Sequence, residues 1–196
     1  MKPKDVIEMI REGNENFLTS KEEVYFTSHM EKQSPLITML SCSDSRVQTS
    51  AILPDAVNQI FTIENIGNQV SNTEGSIDYG IYHLKTPVLL IVGHADCGAI
   101  KAYSSGYDEE PATIQRELNN LQAAYINEVK DTSILEKTHK NINYQVQVAM
   151  SKYAKLVNDE KLAVVGAYYD FANLMDGGFG KLHILNVNGI FQEEVG

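Results

Sequence analysis

The sequence predicts an α/β fold with a mostly parallel central β-sheet flanked by helices, an antiparallel edge near the C-terminus and an N-terminal helical arm. Three observations predict it. Short apolar runs alternate with segments in which apolar residues recur at helical spacing. One run, "VLLIVGH", is almost continuously apolar, which is typical of a parallel strand covered on both faces. The last two runs flank a glycine-rich turn, which favours an antiparallel pair at the sheet edge.

The helical arm is predicted over residues 1–34, and residues 35–196 are predicted to form the α/β core. A chain of 196 residues with 43% hydrophobic content suits one globular domain, so we expect a single domain over 1–196. The apolar residues of the arm fall near one face at helical spacing: Val6, Ile7, Ile10, Phe17 and Leu18.

The remaining elements follow in order along the chain. Two strands are predicted from "SPLITMLSCS" and "NQIFTIENIG", the second being rich in β-branched and aromatic residues. "SIDYGIYHLK" predicts a short helix, which Pro87 closes before the strand "VLLIVGH". "CGAIKAY" predicts the start of a further helix, and "LAVVGAYYD" and "KLHILNV" predict the last two strands. Helical repeats predict two more helices: Ile114, Leu118, Leu121 and Tyr125, then Ile142, Val146, Ala149, Tyr153 and Leu156.

The composition argues against binding to nucleic acid or membranes. The formal net charge is −10, whereas phosphate contacts need clustered Lys and Arg. No window approaches the roughly 18 apolar residues of a membrane span. Charges interrupt "MKPKDVIEMIREGNENF", which therefore lacks the apolar core of a signal peptide. We expect a cytoplasmic protein that handles small molecules, in which Cys42 and Cys97 stay reduced.

Polar residues at the ends of two predicted strands indicate a ligand site. Cys42 ends the first strand and His94 ends the third, at the rim where ligands bind in open α/β sheets. Cys97 follows His94 at i+3, a spacing that turns both side chains toward one point near a helix start. Zinc prefers thiolate and imidazole ligands, and three protein ligands leave one position open, as in catalytic zinc sites.

Other interpretations fit the same residues. Buried, inert cysteines are common in proteins. A structural zinc site with a fourth protein ligand is a further alternative, and Asp44, two residues from Cys42, is the obvious candidate for that ligand. Asp44 and Arg46 would otherwise form a local salt bridge in a turn, which contributes little by itself.

The motifs resemble those of a known family. "CSDSR" followed by "HADCG" is similar to the paired zinc signature of β-class carbonic anhydrases. The resemblance covers nearly the whole chain, because "REGNENF", "ENIGN", "GSIDYGIYHLK" and "VGAYYDFANL" are similar to other blocks of the family. It implies the family's α/β fold and its activity, the reversible hydration of carbon dioxide to bicarbonate and a proton.

The resemblance implies a role for each residue of the two motifs. Cys42, His94 and Cys97 would bind Zn²⁺, and a zinc-bound hydroxide in the fourth position would attack carbon dioxide. Asp44 would accept a hydrogen bond from the zinc-bound water, and Arg46 would pair with Asp44 and hold it off the metal. We further expect Asp44 to displace that water as the pH falls, which would close the site.

The family's substrate cleft is completed across a dimer interface, so the resemblance implies a homodimer or a larger homo-oligomer. The cleft positions of the family fall on Gln33, Phe61, Ile66, Tyr79 and Gly98. An apolar lining that includes Phe61 and Ile66 suits an apolar, linear substrate. By composition alone, however, Phe61 and Ile66 are more typical of a hydrophobic core.

One position departs from the family pattern. Glu64 stands where the family usually has Arg, which reverses a charge beside Asn65. Some bacterial members bind a regulatory bicarbonate with that Arg, a Trp and a Tyr. The corresponding positions here are Glu64, Met39 and Tyr169, so we expect this regulatory site to be absent.

Two alternatives to carbonic anhydrase activity stay open at this point. The same motifs serve the hydrolysis of related linear molecules, carbonyl sulfide or carbon disulfide, on the same fold. The chain would instead be a zinc-binding protein without catalysis if Asp44 permanently filled the fourth position on the metal.

Overall fold

The computed structural model describes residues 1–126 and 132–192, in two compact units, Met1–Gln33 and Ser34–Gly196. The first unit contains two helices, α1 (Pro3–Thr19) and α2 (Glu23–Thr27). Both helices are fully described, and neither has a buried side chain. The predicted apolar face of α1 is present, and none of its residues is buried. The prediction of one domain over the whole chain stays a prediction.

The second unit is built on a sheet of six strands: β1 (Ile37–Cys42), β2 (Ile60–Asn65), β3 (Val88–His94), β4 (Ala163–Asp170), β5 (Lys181–Val187) and β6 (Ile190–Phe191). Their order in the sheet is β2-β1-β3-β4-β5-β6. The first four strands in that order pair in parallel, and β5 pairs antiparallel with both β4 and β6. The predicted fold class, with its antiparallel C-terminal edge and N-terminal helices, is confirmed.

Helical segments lie between successive parallel strands along the chain. The predicted short helix "SIDYGIYHLK" is α-helical only in its first half and continues as a π-helical turn. The predicted helix from Ile114 to Tyr125 likewise changes from α-helical to 3₁₀ geometry. The helical elements are a 3₁₀ turn (Thr49–Ala51), α3 (Glu74–Asp78), the π-helical turn (Tyr79–His83), α4 (Gly98–Ser105), α5 (Ala112–Asn119), a 3₁₀ helix (Asn120–Tyr125) and α6 (Ile134–Asn158).

The long helix α6 covers one face of the sheet. Its buried residues Val146, Ala149 and Tyr153 belong to one apolar cluster with buried residues of β1, β3 and β4. The helix lies close to the sheet at Gly93, where an added Cβ would stand 2.6 Å from Cδ1 of Ile142. Within the described residues, no helix combines the length and apolarity needed to cross a membrane.

The strand register places the C-terminal ends of β1, β2 and β3 at one rim of the sheet. Cys42 at the end of β1 lies opposite Asn65 of β2. The preceding residue, Ser41, lies opposite Val92 of β3, and His94 ends β3 opposite Tyr169 of β4. Cys42 and His94 therefore emerge side by side, as their positions in the sequence predict.

Candidate metal centre

Three potential metal ligands converge at this rim. Cys42 is the last residue of β1, His94 is the last residue of β3, and Cys97 is the residue directly before α4. Their side-chain donor atoms all lie within 4.8 Å of one another, and all three residues are buried. Among the described residues this is the one cluster of three or more His, Cys, Asp or Glu side chains with such geometry.

The two thiols are close enough to share a proton. Sγ of Cys42 lies 3.9 Å from Sγ of Cys97, and the backbone N–H of Gly67 donates to Sγ of Cys42 over 3.4 Å. The hydrogen bond from Cys42 lowers the pKa of Cys97 well below its usual range, while that same contact and burial raise the pKa of Cys42. Cys97 therefore ionises readily in this site. Cys42 needs a nearby cation, such as a bound metal ion, to lose its proton as well.

The imidazole of His94 is prepared as a ligand. Its Nδ1–H donates to the carbonyl of Ala95 over 2.8 Å, so the neutral ring carries its lone pair on Nε2. Nε2 is buried and has no hydrogen-bond partner among the described residues. Leaving a buried acceptor unsatisfied costs roughly 1–3 kcal/mol, and a metal ion would satisfy it. Two sulfurs and this nitrogen form a donor set that zinc prefers, with a fourth position open.

Asp44 lies beside the three ligands and is paired with Arg46. Nε and Nη2 of Arg46 donate to the two carboxylate oxygens over 2.8 Å and 2.7 Å, and the backbone N–H of Arg46 donates over 3.0 Å. These side-chain hydrogen bonds lower the pKa of Asp44 to about 2. The carboxylate Oδ2 lies 3.7 Å from Nε2 of His94. Asp44 is therefore within reach of a metal at this site, but Arg46 occupies both of its oxygens.

Arg46 has two further partners that the sequence did not single out. Its Nη1 donates to Oδ2 of Asp96 over 3.4 Å, and Asp96 also pairs with Lys101. The guanidinium carbon lies 4.5 Å from the ring centroid of Phe171, within cation–π range. Asp96 stands inside the quoted motif "HADCG" and Phe171 inside the quoted block "VGAYYDFANL", but the sequence alone assigns neither residue to the site.

The predicted cleft residues fall in different places. Gly98 begins α4 directly after Cys97, and an added Cβ there would meet no atom within 4 Å. Ile66 follows β2 at the ligand rim and is 37% exposed. Gln33 is the last residue of the first compact unit. Their assignment to a substrate cleft stays a prediction.

Phe61 and Tyr79 lie together but away from the metal ligands of their own chain. Their ring centroids are 5.7 Å apart, and Tyr79 also stacks on His83 at 4.5 Å. Phe61 pairs with Thr38, four positions before the level of Cys42, which is roughly 13 Å along the strand at about 3.3 Å per residue. Within one chain, this aromatic pair does not line the predicted metal site.

The structure also shows the three positions at which we expect no regulatory bicarbonate site. Glu64 is exposed on β2 opposite Ser41, and Met39 is buried in the apolar cluster on the sheet face that Tyr169 also contacts. A carboxylate and a thioether in these places favour no anion. The absence of this site stays a prediction.

Comparisons with known proteins agree with the site. The family model described as carbonic anhydrase matches residues 37–178. Beta carbonic anhydrase 3 of Arabidopsis thaliana is 29% identical over 191 aligned positions, which cover 85% of this chain and 74% of the plant protein. A carbonic anhydrase of Mycolicibacterium smegmatis is 35% identical over 78 positions, which cover 39% of this chain and 38% of the bacterial protein.

Solved structures show the same fold. A tetrameric β-carbonic anhydrase of Sordaria macrospora superposes with a TM-score of 0.81 at 22% identity, covering 93% of this chain and 98% of that chain. The β-carbonic anhydrase of Coccomyxa, solved with acetazolamide, gives a TM-score of 0.76 at 21% identity, covering 93% of this chain and 86% of that chain. Because the family model matches more than half of the sequence, the chain belongs to the β-carbonic anhydrase family.

Proposed function

We propose that this protein is a zinc-dependent carbonic anhydrase that hydrates carbon dioxide reversibly to bicarbonate and a proton. The observation that carries the proposal is the buried convergence of Cys42, His94 and Cys97 within 4.8 Å, beside a carboxylate that Arg46 holds. Membership of the family supports the same activity.

The proposed chemistry divides between the metal and the protein. Zinc, when bound, supplies a Lewis acid that brings the pKa of a coordinated water to about 7. Cys42, His94 and Cys97 hold the ion, and their burial keeps competing ligands away. Asp44, ionised because Arg46 lowers its pKa to about 2, accepts a hydrogen bond from the attacking water and so directs the water's lone pair toward the substrate.

Arg46 has the second protein role in this proposal. An ionised carboxylate 3.7 Å from Nε2 of His94 would itself be a good zinc ligand. A guanidinium that binds both carboxylate oxygens competes with the metal for them. We propose that the pairing of Asp44 with Arg46 keeps the fourth zinc position available to water.

We propose a homo-oligomer in which the substrate cleft is completed by a second copy of the chain. Phe61 lies too far along the sheet from Cys42 to line the site of its own chain, and Tyr79 packs against Phe61, which supports a role for both in a partner's site. The uncovered apolar face of α1 and the tetrameric state of the Sordaria macrospora protein support association. Light scattering after size-exclusion chromatography tests this, and a fully active monomer would exclude it.

We also propose that the protein works in the cytoplasm. The free thiols of Cys42 and Cys97 support a reducing compartment, because an oxidising one would threaten both sulfur ligands. Fractionation of the source cells tests the location.

Stopped-flow hydration of carbon dioxide by the purified protein tests the activity. We expect catalysis well above background in the unmutated protein, loss of zinc and activity in Cys97→Ser, and retained zinc with reduced activity in Asp44→Asn. Asp55→Asn, at an exposed carboxylate, is the matched control and should keep full activity. No rate above background in the zinc-loaded, unmutated protein would exclude the proposal.

The alternatives predict different results in the same experiments. A hydrolase of carbonyl sulfide or carbon disulfide would act on those molecules and not on carbon dioxide. A non-catalytic zinc protein would bind the metal and act on none of them. The pairing of Asp44 with Arg46 argues against a permanent fourth ligand from Asp44. The relatives are carbonic anhydrases, which does not favour the hydrolase.

A further inference from the structure

A backbone hydrogen bond connects the metal centre to the loop of residues 65–70. The N–H of Gly67 donates to Sγ of Cys42 over 3.4 Å. Gly67 has φ +81, and an added Cβ would stand 3.1 Å from Cδ2 of Leu121, so this close approach requires glycine. The orientation of the Gly67 N–H therefore depends on how the loop is held.

Helix α6 holds this loop with two buried side chains. Nδ2 of Asn141 donates to the carbonyl of Gly67 over 2.9 Å, and the backbone N–H of Val70 donates to Oε1 of Gln145 over 2.9 Å. Nε2 of Gln145 donates to Oδ1 of Asn141 over 3.1 Å, which joins the two side chains. Asn141 is 0% exposed and Gln145 is 2% exposed.

The loop is rigid enough to transmit this support. The side chain of Asn65 accepts from the N–H of Gln69 and donates to its carbonyl, each over 2.7 Å. The side chain of Gln69 donates in turn to the carbonyls of Ile66 and Glu117 over 2.7 Å and 3.0 Å. A loop closed by its own hydrogen bonds moves as a unit, so anchors at Gly67 and Val70 fix the N–H that faces Cys42.

We propose that Asn141 and Gln145 are positioning residues for the metal centre, acting through Gly67 on Cys42. An N–H donor to a thiolate ligand withdraws electron density from sulfur and fixes its position, and such outer contacts typically change metal affinity by about 10- to 100-fold. The inference rests on the proposed binding of zinc by Cys42, His94 and Cys97, and not on the identity of the substrate.

Metal binding by an Asn141→Ala variant tests the inference. Cobalt(II) replaces zinc as a probe, because thiolate-to-cobalt charge-transfer absorption reports the electron density on the cysteine sulfurs. Loss of the Asn141 anchor loosens the N–H···S bond, so the band should shift to lower energy. In competition with a chelator, the affinity for Zn²⁺ should fall about 10- to 100-fold.

Asn143→Ala is the matched control. Asn143 lies on the same helix, but its side chain accepts from Asn186 over 2.9 Å, and none of the described hydrogen bonds joins it to the 65–70 loop. Asn143→Ala loses this partly buried hydrogen bond and leaves the hydrogen bonds that hold the loop in place. Its cobalt spectrum and zinc affinity should therefore match those of the unmutated protein. A purely structural effect of substitutions in α6 would change both variants alike.

The outcomes separate this inference from the proposed function. If the unmutated protein binds neither Zn²⁺ nor Co²⁺, the proposed metal centre itself is wrong. If it binds both but Asn141→Ala has the spectrum and affinity of Asn143→Ala, the inference alone is wrong. If Asn141→Ala does not fold, Gln145→Ala decides, because it leaves the Asn141–Gly67 bond in place and removes the Val70 anchor. A smaller shift of the same sign is then expected, and an unchanged spectrum would overturn the inference.

Discussion

Replacing Arg46 by alanine should reduce carbonic anhydrase activity by releasing Asp44 toward the metal. In the structure, two hydrogen bonds of 2.8 Å and 2.7 Å hold the Asp44 carboxylate on the guanidinium. Without them, the carboxylate is free to bind the metal, because its Oδ2 already lies 3.7 Å from Nε2 of His94. A carboxylate on the metal excludes the water that must react.

The pKa of Asp44 sets the size of this effect. Pairing with Arg46 is the main cause that lowers this pKa from 3.8 to about 2, and the whole drop corresponds to roughly 2.4 kcal/mol. The Arg46 side chain is 44% exposed, so solvent screening reduces the pairing energy to about 1 kcal/mol. A pairing energy between about 1 and 2.4 kcal/mol means that removing Arg46 lowers the ratio of molecules with Asp44 off the metal to molecules with Asp44 on the metal about 5- to 60-fold.

Stopped-flow carbon dioxide hydration measures this change as kcat/KM, with zinc content determined on the same samples. Arg46→Ala should lose about 5- to 60-fold in kcat/KM while it keeps its zinc. Arg46→Lys should fall between Arg46→Ala and the unmutated protein, because an ammonium cannot bind both carboxylate oxygens as a fork. Arg11→Ala removes an exposed arginine that pairs with Glu8 on α1, and it should have no effect.

Two results would refute the reasoning. Arg46→Ala with the kcat/KM of Arg11→Ala would show that the pairing does not control access to the metal. If the loss in the double variant Asp44→Asn/Arg46→Ala equals the losses of the two single variants combined, Arg46 does not act through Asp44, because only residues that act on one another give non-additive effects.

Three further predictions follow from the described contacts. Phe171→Leu removes a ring 4.5 Å from the Arg46 guanidinium, so kcat/KM should fall about 2- to 5-fold, which the same assay measures. Asp44→Asn should lower the free energy of unfolding by about 1 kcal/mol at pH 6. Because the pKa of Asp44 is lower in the folded state, that difference in unfolding free energy should shrink as the pH falls from 3.8 toward 2. Urea titrations of both proteins at pH 6 and near pH 2 check this. Gly67→Ala should cost at least about 1 kcal/mol in urea unfolding because of its positive φ, whereas Gly75→Ala, with open space around the added Cβ, should cost nothing.

The metal ligands could be predicted because they depend on local patterns. Cys42 and His94 each end an apolar run, and parallel strands bring such ends to one rim. Cys97 needs only the spacing of three residues from His94. The parallel sheet and its antiparallel edge were predictable for the same reason, since strand length and a glycine-rich turn are visible in the sequence.

The surroundings of Arg46 and Cys42 could not be predicted, because they depend on contacts between distant segments. Phe171 reaches Arg46 only through the pairing of β3 with β4. Asn141 reaches Gly67 across 74 positions of sequence. Helical periodicity places Ile142 in the core but says nothing about which polar partner its neighbour Asn141 will find.

The arm illustrates a different limit of sequence patterns. The apolar spacing of α1 correctly predicts an amphipathic helix, yet Ile7 is 50% exposed and Ile10 is 64% exposed. Apolar periodicity indicates that one face of a helix packs against another surface, but it does not say whether that surface belongs to the same chain or to a second copy. The proposed homo-oligomer accounts for that face and for the distance between Phe61 and Cys42.

The hold of α6 on the 65–70 loop has a consequence for synthesis on the ribosome. Cys42, His94 and Cys97 all leave the exit tunnel before α6 does, since chains are made from the N-terminus. A nascent chain that ends before Asn141 has every ligand but lacks the anchors that aim Gly67 at Cys42. Contacts across 74 or 75 positions are also among the slower ones to form. The mature affinity for zinc should therefore arise late in biogenesis, after most of the chain has been released and folded.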